Sequence, residues 1–391
     1  MYSKGFILLF CSLVAGVFFG ELGSMMMPFQ IGALIDGLGL GEAAAGLLGS
    51  AEIVTIGCCM LAVALGAVRM TPREMAICGV MIAATGQLLT ALTDIFALLF
   101  ILRVAVGLGS ALCLSAAIIT ISSFKNPDST IGFVYAYVIL LLALIMYSLP
   151  WLLPYGHHRA LFSLFAVLTI PGILLLLKLP SRQVYQQQIF MVKRGSNIYR
   201  LIALFFAGEF LLLAGVGTVW AFIERIGLAT GITPHDVGLY MSLGMLVSML
   251  GSFTAGFIGV RFGRFLPLVG GAVLTAAGSG LVPVSTDAMS YITMMFIFLF
   301  MLSFVLPYVI GTAAMIDRSG HLATAALAVQ VFSYGTGGAI GGLAVEHFSL
   351  GALSFIGFSG PVLAAYLFFI VCRILSDPDA IPSNSVPDID A

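Results

Sequence analysis

The sequence predicts an all-α integral membrane protein with twelve transmembrane helices in two pseudo-symmetric six-helix bundles. Of its 391 residues, 61% are apolar and only 8% are charged, whereas soluble globular proteins carry about 25% charged residues. The apolar residues form runs of about 20, the length that crosses the ~30 Å hydrocarbon core of a bilayer. Lys and Arg residues are concentrated in alternate connecting segments, as the positive-inside rule requires of such a chain.

Twelve apolar runs, separated by charged, proline or turn residues, are predicted to be the membrane spans. The first run is longer than the apolar core of a signal peptide and other spans follow it, so we interpret it as a transmembrane helix. The twelve runs cover residues 6–28, 44–67, 75–93, 96–119, 131–153, 159–179, 199–223, 236–260, 265–285, 288–312, 322–345 and 351–374.

The longest internal polar segment divides the chain into six spans before it and six after it. Two halves with equal numbers of spans suggest a duplicated unit, which is common among secondary transporters. We therefore expect an N-terminal bundle over residues 1–180, a cytoplasmic central loop over 181–198 and a C-terminal bundle over 199–375. Residues 376–391 are rich in Pro, Asp and Ser, which predicts a disordered cytoplasmic tail.

The positions of Lys and Arg predict the orientation of the chain. If the N-terminus is cytoplasmic, 13 of the 16 Lys and Arg residues lie in cytoplasmic segments. Only Arg159 and Arg225 then lie in outer loops, and Arg103 lies within a span. Because cationic residues concentrate on the cytoplasmic side of short loops, we expect a multi-pass plasma-membrane protein, in a bacterial inner membrane, with both termini cytoplasmic.

Two motifs resemble those of the major facilitator superfamily. In the fourth span Arg103 is followed by Gly107 and Gly109, similar to the Arg and glycines of the superfamily's fourth helix. The end of the eighth span is similar to its G-x-x-x-D-R-x-G-R cytoplasmic loop, although Val260 replaces the acid. The resemblance implies two bundles that rock about a central cavity without ATP, and it gives gating or packing roles to Gly107, Gly109, Gly256, Arg261, Gly263 and Arg264.

Four ionisable side chains lie inside predicted spans: Glu21, Glu52, Arg103 and Glu209. A charge near the bilayer centre costs ~2.5 to 3.5 kcal/mol, so such residues are typical of functional sites. The helical rise of about 1.5 Å per residue places the first three at similar depth and Glu209 apart from them. We expect Glu21 or Glu52 to pair with Arg103, and protonation to break the pair and bias the access state. The alternatives are a static interhelical pair or a neutral acid bonded to backbone.

The balance of charges inside the spans narrows the class of solute. Three acids against one base favour a neutral, lipophilic or cationic solute over a multiply anionic one, while a monoanion bound by Arg103 stays open. Pro307 in the tenth span removes a backbone donor and predicts a bend that either gates or only shapes the bundle. The candidates for the cavity wall, with helix packing as the alternative, are Gln87, Tyr135, Tyr137 and Gln330.

Other functional classes find little support in the sequence. A net charge of −1 leaves no basic stripe for nucleic acid. No phosphate-binding loop, HExxH motif or cluster of catalytic residues is present, so we expect neither a metal, nor a cofactor, nor an enzyme. The sequence predicts a monomeric secondary active transporter whose partners are the lipid bilayer, a small solute and protons. The alternatives are an integral membrane enzyme and a membrane sensor that does not transport.

Overall fold

The computed structural model describes residues 4–124, 127–182, 196–261, 263–317 and 321–376, and the regular structure within these ranges is helical throughout. The predicted all-α class is therefore confirmed. Short π-helical and 3₁₀ turns extend α10 so that helical structure covers residues 266–284. The helices are α1 (Lys4–Leu38), α2 (Glu42–Ala64), α3 (Pro72–Leu92), α4 (Phe96–Ser122), α5 (Pro127–Leu152), α6 (His157–Leu176), α7 (Ser196–Ala221), α8 (Ile223–Ala229), α9 (Pro234–Ile258), α10 (Gly271–Leu281), α11 (Ala288–Ile316), α12 (His321–His347) and α13 (Ala352–Leu375).

Eleven helices of the described residues are long and apolar enough to cross a membrane, so the multi-pass character of the protein is confirmed. The remaining predicted span, the eleventh at 322–345, corresponds to α12, which has 27 residues. Glycine, serine, threonine, tyrosine and glutamine residues lower the apolar character of α12, so it is not among the eleven helices apolar enough to cross a membrane. It packs against α2 on one side and α7 on the other, so other helices replace much of its contact with lipid. The predicted count of twelve is thus met by length but not by composition.

The one large departure from the predicted boundaries is α1, which continues ten residues beyond the predicted end at Pro28. Proline lacks a backbone N–H, so it deprives the carbonyl four residues earlier, that of Ser24, of its helical donor. The indole Nε1 of Trp220 in α7 donates to this carbonyl at 3.1 Å and replaces the missing donor. The helix can therefore continue to Leu38, where Gly39 with φ +64° ends it.

The same arrangement occurs at two other prolines inside helices. Pro307 lies in α11, and the Ser303 carbonyl that it leaves without a donor accepts from Ser252 Oγ of α9 at 3.2 Å. Pro361 lies in α13, and the side chain of Ser279 in α10 donates to the freed Gly357 carbonyl at 2.6 Å. Each proline therefore supplies a backbone acceptor that ties its helix to a neighbour.

Helices α1, α3, α4 and α6 pack mainly on helices of the first half of the chain, and α7, α9, α10, α11 and α13 mainly on helices of the second half, whereas α2, α5 and α12 make extensive contacts with both halves. The two halves, α1 to α6 and α7 to α13, here called the N-terminal and C-terminal bundles, meet along α2 with α12 and along α5 with α9, and α1 also contacts α7 and α8. The end of the molecule that holds the α1–α2 connection is called the predicted outer end. The predicted central loop and tail lie almost entirely outside the described residues, and the exact domain boundaries stay predictions.

Glycines allow α2 and α12 to approach each other very closely. A Cβ added at Gly46 would overlap the Gly338 carbonyl oxygen, and one added at Gly57 would overlap the backbone of Phe332. A Cβ at Gly335 would in turn meet the backbone of Val54. Small residues at such positions let backbones touch and stabilise helix pairs in lipid through van der Waals contact.

Candidate functional site

A cavity of about 330 Å³ lies between the two bundles. Its walls come from α1, α2, α4 and α5 on one side and from α7, α9, α11 and α12 on the other. Most of the lining is apolar, with methionines contributed by both bundles, among them Met25, Met60 and Met245. Cavities of this size and character suit small-molecule ligands.

Glu21 is the one charged side chain among the described residues that line the cavity. The hydroxyl of Tyr135, on α5, donates to Glu21 Oε1 at 3.3 Å. Tyr334, on α12 of the opposite bundle, also lines the cavity and interacts electrostatically with Glu21. Among the described lining residues, the one carboxyl group thus accepts a hydrogen bond from a tyrosine of its own bundle and lies near a tyrosine of the other bundle.

Two of the four residues expected in the cavity wall line it, and two do not. Tyr135 and Gln330 are part of the lining. Tyr137 is 54% exposed, and its ring packs edge-on against Phe10 with centroids 5.5 Å apart, so it faces away from the cavity. Gln87 is buried, and its Oε1 accepts a hydrogen bond from Arg103 instead.

Arg103 lies in a buried polar cluster inside the N-terminal bundle rather than in the cavity. Its side chain is 1% exposed, and its Nη1 lies 3.0 Å from Glu52 Oε2, so of the two carboxylates expected to pair with it, Glu52 is the one that does. Glu21 makes its hydrogen bond to Tyr135 instead. The remaining partners of the guanidinium are Gln30 Oε1 at 3.5 Å, Gln87 Oε1 at 3.0 Å, Thr90 Oγ1 at 2.7 Å and the Phe162 ring, whose centroid is 4.4 Å from Cζ.

This cluster has the geometry of a static anchor among α1, α2, α3, α4 and α6. A guanidinium presents five N–H donors in a planar fork, and four of the acceptors here surround that fork. Gly107 of α4 allows the approach, because a Cβ there would overlap the Glu52 carbonyl oxygen. Gly109 does the same on the other side of α4, where a Cβ would overlap the Gly79 carbonyl of α3.

Glu209 of α7 is fully buried and apart from the Arg103 cluster. Gln330 approaches its carboxyl group, but neither Glu209 oxygen has a well-formed hydrogen bond to another described residue. Gln330 also lines the cavity, whereas Glu209 is not part of that lining. Ionisation of a carboxyl group buried without a described cation beside it carries a large desolvation cost.

The segment after α9 is attached to α11 near Pro307. Tyr308 donates to the Gly259 carbonyl at 2.9 Å, and the Arg264 guanidinium lies against Gly311. Gly259 and Gly263 have φ of +54° and +70°, which explains glycine at both positions. The other two residues of this motif are less closely packed. The Arg261 Cζ atom lies 5.3 Å from the centroid of the Phe257 ring, and a Cβ added at Gly256 would meet open space.

Sequence reasoning missed an ionic cluster at the predicted outer end that joins the bundles. Arg225 of α8 pairs with Asp36 of α1 at 2.8 Å and donates to the Gly32 carbonyl at 2.6 Å. Glu224 lies 3.3 Å from Arg225 and is almost buried. That burial raises the pKa of Glu224 to about 7, although Arg225 opposes the shift. The adjacent Glu and Arg between two apolar runs were the available signal.

Comparisons with known proteins agree with this architecture. A family model described as Major Facilitator Superfamily matches residues 10–341. A bacterial homolog of the human lysosomal transporter Spinster, inward-facing and unoccupied, has a similar structure (TM-score 0.70, 16% identity, 95% of this chain and 98% of that chain covered).

Two further solved structures are similar at comparable identity. A D-xylose–proton symporter has a TM-score of 0.74 at 15% identity, covering 94% of this chain and 98% of its own. The nucleoside transporter NupG has a TM-score of 0.71 at 14% identity, covering 96% of this chain and all of its own. No curated protein matches the sequence significantly. Sequence identities this low support a shared fold and no more. The family model covers most of the sequence, and the chain therefore belongs to the Major Facilitator Superfamily of transporters.

Proposed function

We propose that this protein is a secondary active transporter that moves a small solute through the central cavity by alternating access, coupled to protons. The observation that carries the proposal is a cavity shared by both bundles in which Glu21 supplies the one carboxyl group among the described lining residues. A carboxylate is costly to enclose within the membrane while it is charged. Closure of the cavity can therefore be linked to the binding of a proton or a solute that neutralises Glu21. The bundles are residues 1–180 and 199–375, and both termini are cytoplasmic in a bacterial inner membrane.

Contacts between the bundles support closure at the predicted outer end in this conformation. Besides the pair of Arg225 with Asp36, the side chain of Glu346 in α12 accepts from the backbone N–H of Ala43 at 2.8 Å. On the α5–α9 side, the Trp151 ring stacks on His235 with centroids 4.1 Å apart. We infer that the cavity opens toward the opposite, cytoplasmic side, as in the inward-facing Spinster homolog.

Among the acids in the spans, Glu21 is our first candidate for the coupling proton. It is the carboxyl group that solvent and solute reach through the cavity. Glu209 is the second candidate, because it is buried without a described cation nearby and lies next to Gln330, which lines the cavity. Glu52 is paired with Arg103 away from the cavity, so we assign this pair to the stability of the N-terminal bundle.

Proteoliposomes that contain a pH-sensitive dye in their lumen test the proposal. Neutral, cationic and monoanionic apolar compounds are added one at a time, and proton movement is recorded with and without an uncoupler. We expect at least one compound to move protons through the wild type, and Glu21→Gln to abolish that movement. Glu42→Gln, at the first turn of α2 and outside the cavity lining, is the matched control.

The outcomes separate the rival functions. Coupled proton movement that is unchanged in Glu21→Gln contradicts the assignment of Glu21 and transfers it to Glu209, which Glu209→Gln then tests. If no compound in the panel moves protons or crosses the membrane, the transport proposal is wrong and the sensor alternative gains support.

A further inference from the structure

The charged residues that line the cavity narrow the expected charge of the ligand further than the count of charged residues inside the spans does. The sequence leaves a monoanion open because Arg103 could bind it. In the structure, however, the Arg103 side chain is 1% exposed and surrounded by Glu52, Gln87 and other partners within the N-terminal bundle. An anion in the cavity would therefore meet the Glu21 carboxylate without any described cation in the lining to compensate.

Three hydroxyl groups in the cavity wall, those of Tyr135, Ser248 and Ser252, also favour a ligand that donates hydrogen bonds or carries positive charge. Ser248 Oγ donates to the carbonyl of Met245 at 2.7 Å, and Ser252 Oγ donates to that of Ser303. The Tyr135 hydroxyl proton is directed at Glu21. These hydroxyl protons are already engaged, so the oxygen atoms that remain available are acceptors.

The rest of the lining suits an apolar body. Met25, Met60 and Met245 offer polarisable thioethers that adapt to different shapes. Trp220 and Tyr334 line the same space, and aromatic rings attract organic cations electrostatically. A polyol or a nucleoside would need many more donors and acceptors than this lining provides.

We propose that the cavity binds an organic monocation with an apolar body, and that Glu21 is its counter-ion. This inference rests on the proposed function for the statement that the ligand is transported, but binding itself does not depend on transport. A proton and the cation compete for one carboxyl group, so affinity for the cation falls as the pH is lowered.

Tetraphenylphosphonium and tetraphenylborate, which have nearly the same shape and opposite charge, are suitable probes. Binding to the purified protein in detergent is measured by calorimetry and by the shift in thermal unfolding, with neutral triphenylphosphine oxide as a third probe. We expect saturable binding of the phosphonium that exceeds the affinity for the borate. Glu21→Gln should weaken phosphonium binding by about tenfold or more, whereas Glu42→Gln should leave it unchanged.

A second variant keeps the inference testable if Glu21→Gln unfolds. Tyr135→Phe removes the hydroxyl that donates to Glu21 and leaves the ring in place, so it should retain phosphonium binding and change its pH dependence. Borate binding equal to phosphonium binding, or phosphonium binding unaffected by Glu21→Gln in a folded protein, overturns the inference. Phosphonium binding without any proton movement in proteoliposomes contradicts the proposed function alone. Glu21-dependent proton movement driven only by neutral or anionic compounds contradicts this inference alone.

Discussion

Trp220 Nε1 donates a hydrogen bond of 3.1 Å to the carbonyl oxygen of Ser24, and this bond joins the two bundles at the cavity wall. The acceptor is free because Pro28, four residues later in α1, has no N–H to offer it. Both residues are buried, so loss of the donor leaves a carbonyl without a partner in an apolar site. The bond therefore stabilises the conformation in which the two bundles contact each other at the predicted outer end.

Trp220→Phe is expected to destabilise that arrangement by about 1 to 3 kcal/mol, because it keeps an aromatic ring and removes the donor. Spin labels placed on both bundles at the predicted outer end should report longer distances in the variant than in the wild type. In a Pro28→Ala background the same substitution should cost less, since residue 28 then donates to Ser24 within the helix. Equal effects in the two backgrounds contradict this account of the carbonyl.

The Arg103 cluster should behave as an anchor of the N-terminal bundle. Arg103→Lys is expected to lower the thermal unfolding temperature, because one ammonium group cannot serve Glu52, Gln87 and Thr90 together. Arg103→Met should be worse, by about 3 to 5 kcal/mol, since it leaves a buried carboxylate unpaired. The double variant Arg103→Met with Glu52→Gln should recover part of that loss. Coupled transport that disappears in a stable double variant would instead give the pair a role in coupling.

The outer ionic cluster predicts a pH dependence of stability through Glu224. Helix α8, which carries Glu224, lies outside the helices long enough to span the membrane. Burial raises the pKa of Glu224 from 4.5 to about 7, so the folded protein holds this proton more tightly than the unfolded chain. The stabilisation that comes from protonated Glu224 is complete below pH 4.5 and is lost as the pH rises toward 7, by ~3 kcal/mol at most.

Thermal unfolding of wild type and Glu224→Gln between pH 4.5 and 8 measures this effect. The variant cannot lose the proton, so its stability should fall less steeply than that of the wild type across this window. Above about pH 7 the difference should become constant. Parallel curves for the two proteins would contradict the assignment to Glu224.

The α2–α12 contact should not tolerate an added methyl group. Gly338→Ala places a Cβ against Met27 and Ser50, and Gly46→Ala places one against the Gly338 carbonyl. We expect each to separate the helices at a cost of about 1 to 3 kcal/mol, visible as a lower unfolding temperature. Gly132→Ala in α5 is the matched control, because a Cβ there meets open space. Comparable losses in all three variants would show that glycine is needed for some other reason.

The positions of the helices could be predicted because bilayer thickness sets the length of each apolar run. Apart from α1, the predicted spans end within about four residues of the observed helices. The proximity of Glu52 to Arg103 was also within reach, since helical rise converts residue number into depth.

The partners of the polar side chains were harder to predict, because depth says nothing about which face of a helix meets which neighbour. Ending α1 at Pro28 removed Gln30 from the first span, although Gln30 contacts Arg103. Gln87 was a candidate for the cavity wall because it is a polar residue inside a span, with helix packing as the alternative, and it lies on the face of α3 that meets Arg103. Arg225 was treated as part of a loop because its short helix α8 lies between two spans.

The prolines inside α1, α11 and α13 have a consequence for how this membrane protein gains specificity. Each exposes a main-chain oxygen at mid-helix to which Trp220, Ser252 or Ser279 donates from another helix. Directional recognition between helices is thus encoded by residues that hydropathy scales score as neutral or apolar. Exchanging any of the three donors for an alanine would break one interhelical link, while exchanging the proline would make the oxygen unavailable by returning it to its own helix.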